Sequence, residues 1–257
     1  MNKANQNPIE LMAIAASREI KDFDIVFCGT GLPVLAARAA KLTHAPRSII
    51  FFETGAIDSP LLDLPMFVAD SRVMPGAAIH SGLVDSLSML QNNKIGPRSV
   101  CILGAAQIDR FGNLNSTSIG NYMCPEVRFA GSGGAADGAS LAGRVIVLMK
   151  HGKNRFVNEL DYLTSPGWVR GGMSRRIDGL DRGGVSVVIT DKCILRFSEN
   201  EKNIYLSEYF PGGNIKDIVD MIGFELDTSQ AQEMTPPTLK DLNILREKVD
   251  PEKLIIS

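Results

Sequence analysis

Apolar residues fall into two kinds of pattern along this chain, short dense runs and longer stretches in which they recur every three or four positions. The recurring pattern opens at Ile9, Ala13, Ala16 and Ile20, and it predicts an amphipathic helix. Asn7, Pro8 and Glu10 mark its start: Asn7 caps, Pro8 suits the first turn, and Glu10 stands at the capping-box position. A dense run, Asp24-Ile-Val-Phe-Cys28, predicts a buried strand that enters the tight turn Gly29-Thr-Gly31-Leu-Pro33 and an Ala-rich helix from Val34 to about Leu42. Ser48-Ile-Ile-Phe-Phe52 is a second buried strand, ending at Glu53-Thr54-Gly55. The order is β-α-β, and strands apolar on both faces predict a parallel sheet covered by helices. Further on, residues 81–91 read as a helix, and Ser99–Leu103, 144–149 and Val185–Ile189 as buried strands. Cys193–Phe197 and residues 203–206 complete a meander with polar turns at Asp191-Lys192 and 200–202. Residues 214–221 and 239–248 read as helices, whereas the glycine-rich patches at 131–138 and 171–184 read as loops. The expected fold is α/β: an open, mostly parallel sheet flanked by helices, with added antiparallel strands. No repeat or linker divides the sequence, so one domain is expected over residues 1–257.

Composition removes several classes of function. With 22% charged residues and a formal net charge of −2, there is no basic excess for nucleic acid. No apolar run approaches the roughly 20 residues that span a bilayer, and the N-terminal segment lacks the basic-then-apolar order of a signal peptide. No membrane association is expected. Cys28, Cys101, Cys124 and Cys193 are too scattered for a zinc site, and Cys28 and Cys101 read as buried free thiols, which implies a reducing, cytoplasmic setting.

Three constellations carry candidate chemistry. Glu53 lies where a buried strand ends, the usual place for ligands in open parallel sheets. Desolvation there would make its carboxylate a better nucleophile, although position alone fits a solvated strand-end glutamate better. Gly131-Ser-Gly133-Gly134 is dense enough in glycine to turn successive N–H groups toward one point as an oxyanion hole, or else to be a flexible loop. Gln107, just past a buried strand, is placed to reach into a cleft, while Asp109 and Asn113 organise a turn around Gly112. Gly29-Thr-Gly31 is an incomplete dinucleotide fingerprint, with Val34 at the third glycine position, and reads as a structural turn. His44, His80 and His151 are scattered, and no GxSxG elbow accompanies them. Trp168 reads as a loop anchor.

Taken together, Phe52-Glu-Thr-Gly55, Gly104-Ala-Ala-Gln-Ile-Asp109, Phe111-Gly-Asn-Leu-Asn-Ser-Thr-Ser-Ile-Gly120, Phe129-Ala-Gly-Ser-Gly-Gly134, Asn158-Glu-Leu-Asp-Tyr162 and Thr164-Ser-Pro-Gly-Trp168 occur in an order that resembles the β-type subunits of the glutaconate CoA-transferase group, within family I of the coenzyme A transferases. The likeness runs from the first helix to Arg246-Glu-Lys-Val-Asp-Pro251. It implies transfer of CoA from an acyl-CoA to a carboxylic, dicarboxylic in the nearest group, acid. The glutamate of the family's E-[ST]-G motif, here Glu53, attacks the thioester, passes through an acyl-glutamyl anhydride and becomes a glutamyl-CoA thioester. The family's G-x-G-G loop matches Gly131, Gly133 and Gly134 as oxyanion donors, and Gln107 is a weaker carry-over for substrate binding. The resemblance implies no metal or redox cofactor, coenzyme A being a substrate, and it implies an α-type subunit as partner in a hetero-oligomer. The motif is Glu-Thr-Gly here where this group typically has Glu-Ser-Gly, which leaves the acyl substrate open. Six arginines, Arg72, Arg128, Arg155, Arg170, Arg175 and Arg176, are available for a substrate carboxylate. Two alternatives remain at this point: an acyl-CoA or ring-opening hydrolase on the same scaffold, and a non-catalytic subunit that shapes a partner's site.

Overall fold

The computed structural model describes residues 7–256. The first six residues, on which part of the signal-peptide argument rests, lie outside that range. Fourteen strands are formed among the described residues. They are β1 (Ile25–Phe27), β2 (Ile49–Phe51), β3 (Ala56–Ile57), β4 (Ile79–His80), β5 (Ser99–Leu103), β6 (Gln107–Ile108), β7 (Leu114–Asn115), β8 (Ser118–Ile119), β9 (Val127–Arg128), β10 (Arg144–Leu148), β11 (Val185–Ile189), β12 (Cys193–Phe197), β13 (Ile204–Tyr209) and β14 (Gln232–Glu233). Ten of them make one sheet through the molecule, in the order β14-β13-β12-β11-β10-β5-β1-β2-β3-β4. Two short hairpins, β6 with β7 and β8 with β9, stand apart from it. The five central strands, β2-β1-β5-β10-β11, are parallel, and antiparallel strands extend both sides.

Side chains alternate across this parallel core as the period of a strand requires. Val26, Val100, Ile102, Ile146 and Leu148 face one apolar layer, together with helices α1 (Pro8–Arg18) and α2 (Leu32–Leu42). Phe27, Cys101, Leu103, Val145 and Val147 face the other. A register shift between Val145 and Ile146 bulges β11 at Ser186. Helices α1 and α2 approach closely because their contact surface is small: Ala13, Ala16, Ala36, Ala37 and Ala40 are all fully buried. Asn7 caps α1 by accepting from the Ile9 N–H at 2.9 Å, and Glu10 pairs with Arg246 near the C-terminus, at 2.5 Å and 2.7 Å. Leu245, Val249 and Ile256 belong to the same apolar layer as α1 and α2.

Two expectations are corrected. Part of the glycine-rich patch at 131–138 is helical, because α4 covers Ala135–Leu141, and the patch at 171–184 contains α5 (Ser174–Ile177). Gly138 sits inside α4, where a Cβ would fall 2.4 Å from Cys101 Sγ. Close packing on β5 therefore outweighs the low helix propensity of glycine. The segment 81–91 splits into α3 (Leu83–Ser88) and a 3₁₀ turn, Met89–Gln91. The last helices are α6 (Ile215–Val219) and α7 (Leu239–Ile244), the latter running on into a π turn, Leu245–Val249. Among the described residues, no helix is long and apolar enough to cross a membrane.

Candidate active site

Phe51 at the end of β2 and Phe52 just after it are fully buried, and the chain then reverses at once. The Gly55 N–H donates to the Phe52 carbonyl, and the Phe52 N–H donates to that of Ala56, both at 3.0 Å. Glu53 and Thr54 occupy the tip of this turn, half-buried, just beyond the carboxyl end of the parallel core. The Ser86 hydroxyl, on α3, fixes the turn by donating to the Phe52 carbonyl at 2.8 Å. The Thr54 hydroxyl is buried without a hydrogen-bond partner among the described residues.

Only glycine fits at position 55. Its φ is +103°, and a Cβ would lie 1.9 Å from the Ser81 carbonyl oxygen. Ser81 in turn donates its N–H to the Gly55 carbonyl at 2.9 Å, which holds β4 against the turn. Gly55→Ala is expected to destabilise the chain by about 3 kcal/mol, the sum of backbone strain and forced separation of packed backbone. Thermal unfolding should shift down by roughly 6–12 °C; an unshifted melt would mean that the turn is not held as described.

The glycine loop that follows β9 also reaches Glu53. It is tied down at its start, where the Gly131 N–H donates to the Ser116 carbonyl and the Ser116 hydroxyl donates to the Gly131 carbonyl, each at 3.1 Å. Positive φ at Gly131 (+88°) and Gly133 (+49°) turns the backbone into α4. At the end of the turn the Gly134 N–H donates to Glu53 Oε2 at 3.1 Å. A Cβ on Gly134 would stand 2.7 Å from that oxygen and 3.0 Å from both Leu87 and the Phe27 ring; on Gly133 it would stand 3.8 Å from the oxygen. Phe27 and Leu87 thus wall the carboxylate with apolar surface, and Phe27 is itself wedged against Phe51, with ring centroids 5.2 Å apart. Apolar surface on this side strengthens the charge-assisted hydrogen bond that half-buried Glu53 accepts from the loop.

The loop is anchored from behind by Arg175. This guanidinium, 3% exposed, donates to the carbonyls of Ala139 and Ser140 at the end of α4 and to those of Pro166, Gly167 and Arg182. A cation on the last carbonyls of a helix also opposes the negative end of its dipole. Burial draws the Arg175 guanidinium down to about 10, which leaves it charged at neutral pH.

Gln107 does other work. It is 5% exposed; its amide N–H donates to Asp161 at 2.7 Å, and its carbonyl accepts from the Asn115 side chain at 2.7 Å and the Asp161 N–H at 3.2 Å. These bonds clamp the segment around Asp161 to β7, and none of them goes to Glu53. Asp109 and Asn113 do build the turn at Gly112: Asp109 accepts from Phe111, Asn113 and the Asn113 side chain, and Asn113 accepts from Gly167 and Val169. Burial pushes the Asp109 carboxyl up, against these bonds. Trp168 anchors its loop by donating to the Val185 carbonyl at 2.8 Å. His44 and His151 are held on backbone carbonyls, at Ser17 and Ile20 for the first and Ile218 for the second, and burial lowers His151. Cys28, Cys101 and Cys193 are buried and form no disulfide. The floor residues Phe27 and Leu87 and the anchor Arg175 carry no sequence signal of their own, since each reads as an ordinary core or surface position.

Beside the loop, over the carboxyl ends of β1, β5 and β10, lies a cavity of about 610 Å³. Gly29, Thr30, Gly104, Gly131 and Ala135 form part of its wall. The Gly29-Thr-Gly31 turn therefore lines this cavity. Its size suits a small-molecule site, and it lies where open parallel sheets bind ligands.

Residues 9–221 match the family model described as Coenzyme A transferase. Over 250 residues the chain is 38% identical to the β-type subunit of glutaconate CoA-transferase from Acidaminococcus fermentans, covering 96% of this chain and 94% of that one. It is 34% identical over 240 residues to the β-type subunit of 3-oxoadipate CoA-transferase from Pseudomonas knackmussii, covering 92% and 91%. The crystal structure of glutaconate coenzyme A-transferase from Acidaminococcus fermentans superposes with a TM-score of 0.95 over 98% of both chains.

Proposed function

This chain belongs to the coenzyme A transferase family as a β-type subunit, and on that premise we propose that Glu53 is its nucleophile, moving CoA from an acyl-CoA to a carboxylic, in particular a dicarboxylic, acid. The single observation that carries the assignment is the Gly134 N–H on the Glu53 carboxylate at 3.1 Å, in an apolar recess at the carboxyl end of the sheet. In the first step a Glu53 oxygen attacks the thioester carbonyl, the C–S bond breaks and CoA leaves as thiolate. That thiolate attacks the glutamyl carbonyl of the resulting mixed anhydride, which expels the donor carboxylate and leaves a glutamyl-CoA thioester. The acceptor carboxylate then repeats the two steps in reverse. Each step exchanges one acyl bond for another, so the sequence closes without a net proton or electron. Negative charge gathers on a carbonyl oxygen in every tetrahedral intermediate, and the Gly134 N–H is the loop donor set beside it, whereas the Gly131 N–H, expected as a second donor, is spent on the Ser116 carbonyl.

Assembled enzyme given acyl-CoA alone should accumulate glutamyl-CoA, which hydroxylamine or borohydride then marks at Glu53. A digest with no modified Glu53 peptide, or release of free CoA without any acceptor, would contradict transfer. The dicarboxylate preference is supported by the two relatives named for glutaconate and 3-oxoadipate. We take residues 1–257 to act as one domain, supported by the shared core of α1, α2 and the C-terminal Leu245, Val249 and Ile256. The three buried free thiols support a reducing compartment, the cytoplasm.

We take the α subunit to cover the Glu53 turn. Leu62, Phe67, Ile79, Leu83 and Val84 are all more than half exposed and belong to the segment that packs beside this turn, a concentration of apolar surface that marks an interface. Val84, 76% exposed, is the most exposed of these five. Val84→Asp should leave the chain folded but weaken co-elution with the α subunit at least roughly tenfold, because a carboxylate would be desolvated without a partner. Unchanged co-elution would move the interface elsewhere.

A further inference from the structure

Among the groups lining the cavity over β1, β5 and β10 there are two cations, Lys150 and Arg155, and no carboxylate. Its floor is apolar, with Met12, Leu32, Ile102, Leu103, Leu148 and Met149. Gly131 and Ala135 stand in the same wall, and between them Gly134 touches Glu53. Ala135 directly follows Gly134, and consecutive Cα atoms are about 3.8 Å apart, so the cavity wall begins one residue from the contact with the nucleophile.

Hydrogen-bond accounting separates Arg155 from the other five arginines open to such a role. Arg72 is paired with Asp70, and Arg170 with Asp178. Arg175 is spent on five carbonyls, and Arg128 on the Tyr122 carbonyl and ring. Arg176 is exposed on α5 and does not line the cavity. The Arg155 guanidinium makes one long contact, 3.4 Å to the Ala105 carbonyl. Its backbone, by contrast, is fixed: its N–H donates to the Gly152 carbonyl at 2.9 Å, its carbonyl accepts from the Ile108 N–H at 2.7 Å, and the following Phe156 is fully buried. A half-buried guanidinium with most of its planar fork unused, on a pinned backbone and beside an apolar floor, is set up for bidentate binding of an incoming carboxylate.

We propose that this cavity is the acyl pocket and that Arg155, with Lys150 beside it, binds the distal carboxylate of a dicarboxylic acyl group and so sets the chain's preference for dicarboxylates. This rests on the transferase reading above. Once an acyl group is attached at Glu53, its carbons lie along Leu103 and Met149 while the far carboxylate closes the Arg155 fork. A monocarboxylate would leave that cation unpaired against apolar walls, and the penalty falls on the wrong substrate.

The test uses the assembled αβ enzyme with acetyl-CoA as donor and two acceptors of equal length, glutarate and pentanoate. The ratio of kcat/KM for glutarate to that for pentanoate should exceed one in the unaltered enzyme. It should fall about 100-fold in Arg155→Met, and by less in Arg155→Lys, which keeps the charge and loses the fork. A ratio unchanged in Arg155→Met overturns the proposal. So does a rise in KM for acetyl-CoA with the ratio preserved, because that result assigns Arg155 to the phosphates of CoA. An unaltered enzyme that prefers pentanoate overturns it as well. If the unaltered enzyme transfers CoA to neither acceptor and forms no glutamyl-CoA, the transferase reading itself fails, a result distinct from the other three.

Discussion

Glu53→Gln should abolish CoA transfer, lowering kcat by at least about three orders of magnitude while leaving the fold intact. The substitution is isosteric, and the amide oxygen still accepts from the Gly134 N–H that now holds Oε2 at 3.1 Å. The packing of Phe27 and Leu87 around the side chain is therefore preserved, and the loss is confined to nucleophilicity, since an amide does not form an anhydride. Glu53→Asp supplies the geometric control. It keeps the charge but withdraws the carboxylate by one C–C bond, about 1.5 Å, out of reach of Gly134. A misplacement of that size costs on the order of 100-fold. The expected order is wild type, then Asp about 100-fold lower, then Gln lower still, with glutamyl-CoA trapped in the wild type and absent in Gln. Retention of more than about a tenth of the activity in Glu53→Gln would return the chain to the role of a subunit that only shapes its partner's site.

The parallel core was legible because each of its strands is apolar on both faces and bounded by polar turns: Ser99–Leu103 and Val185–Ile189 appear in the structure with the bounds that the pattern implies. The meander through Cys193–Phe197 was legible for the same reason, although β13 runs on to Tyr209. The two-residue strands were not. Ala56 pairs with His80 across more than twenty residues, and two residues carry no periodicity to read. Helix α4 was hidden by the glycines before it and by Gly138 inside it, whose reason lies in the distant Cys101. At the site, the strand end made Glu53 a candidate without separating it from a solvated glutamate, and the resemblance of its Glu-Thr-Gly motif supplied the role. Its contact with Gly134 spans 81 positions and is set by tertiary packing alone. Gln107 looked equally exposed to a cleft, and only its three hydrogen bonds to Asp161 and Asn115 show what it holds. The six arginines were equivalent as letters, and they separate only when the partners and the place of each are known.

Gly134→Ala should be the second most damaging change, cutting kcat/KM about 100-fold with a modest stability cost of about 1–3 kcal/mol. The backbone does not oppose it, because φ is −76° at Gly134, ordinary for alanine. The obstacle is steric: the new methyl would meet Glu53 Oε2 at 2.7 Å, with Leu87 and Phe27 at 3.0 Å. Phe27 is held between Phe51 and the β5 layer, so it cannot yield, whereas the Glu53 carboxylate at the tip of its turn can. The carboxylate therefore swings away, and the nucleophile loses both its N–H donor and its aim at the thioester carbonyl. Gly133→Ala separates this from a general stiffening of the loop. There the methyl would stand 3.8 Å from Glu53, an ordinary contact, and the cost is backbone strain at φ +49°, about 1–2 kcal/mol. Single-turnover formation of glutamyl-CoA should thus be slowed far more by Gly134→Ala than by Gly133→Ala. Equal slowing would mean that the loop acts through its conformational freedom, and that the hydrogen bond from Gly134 is incidental to the chemistry.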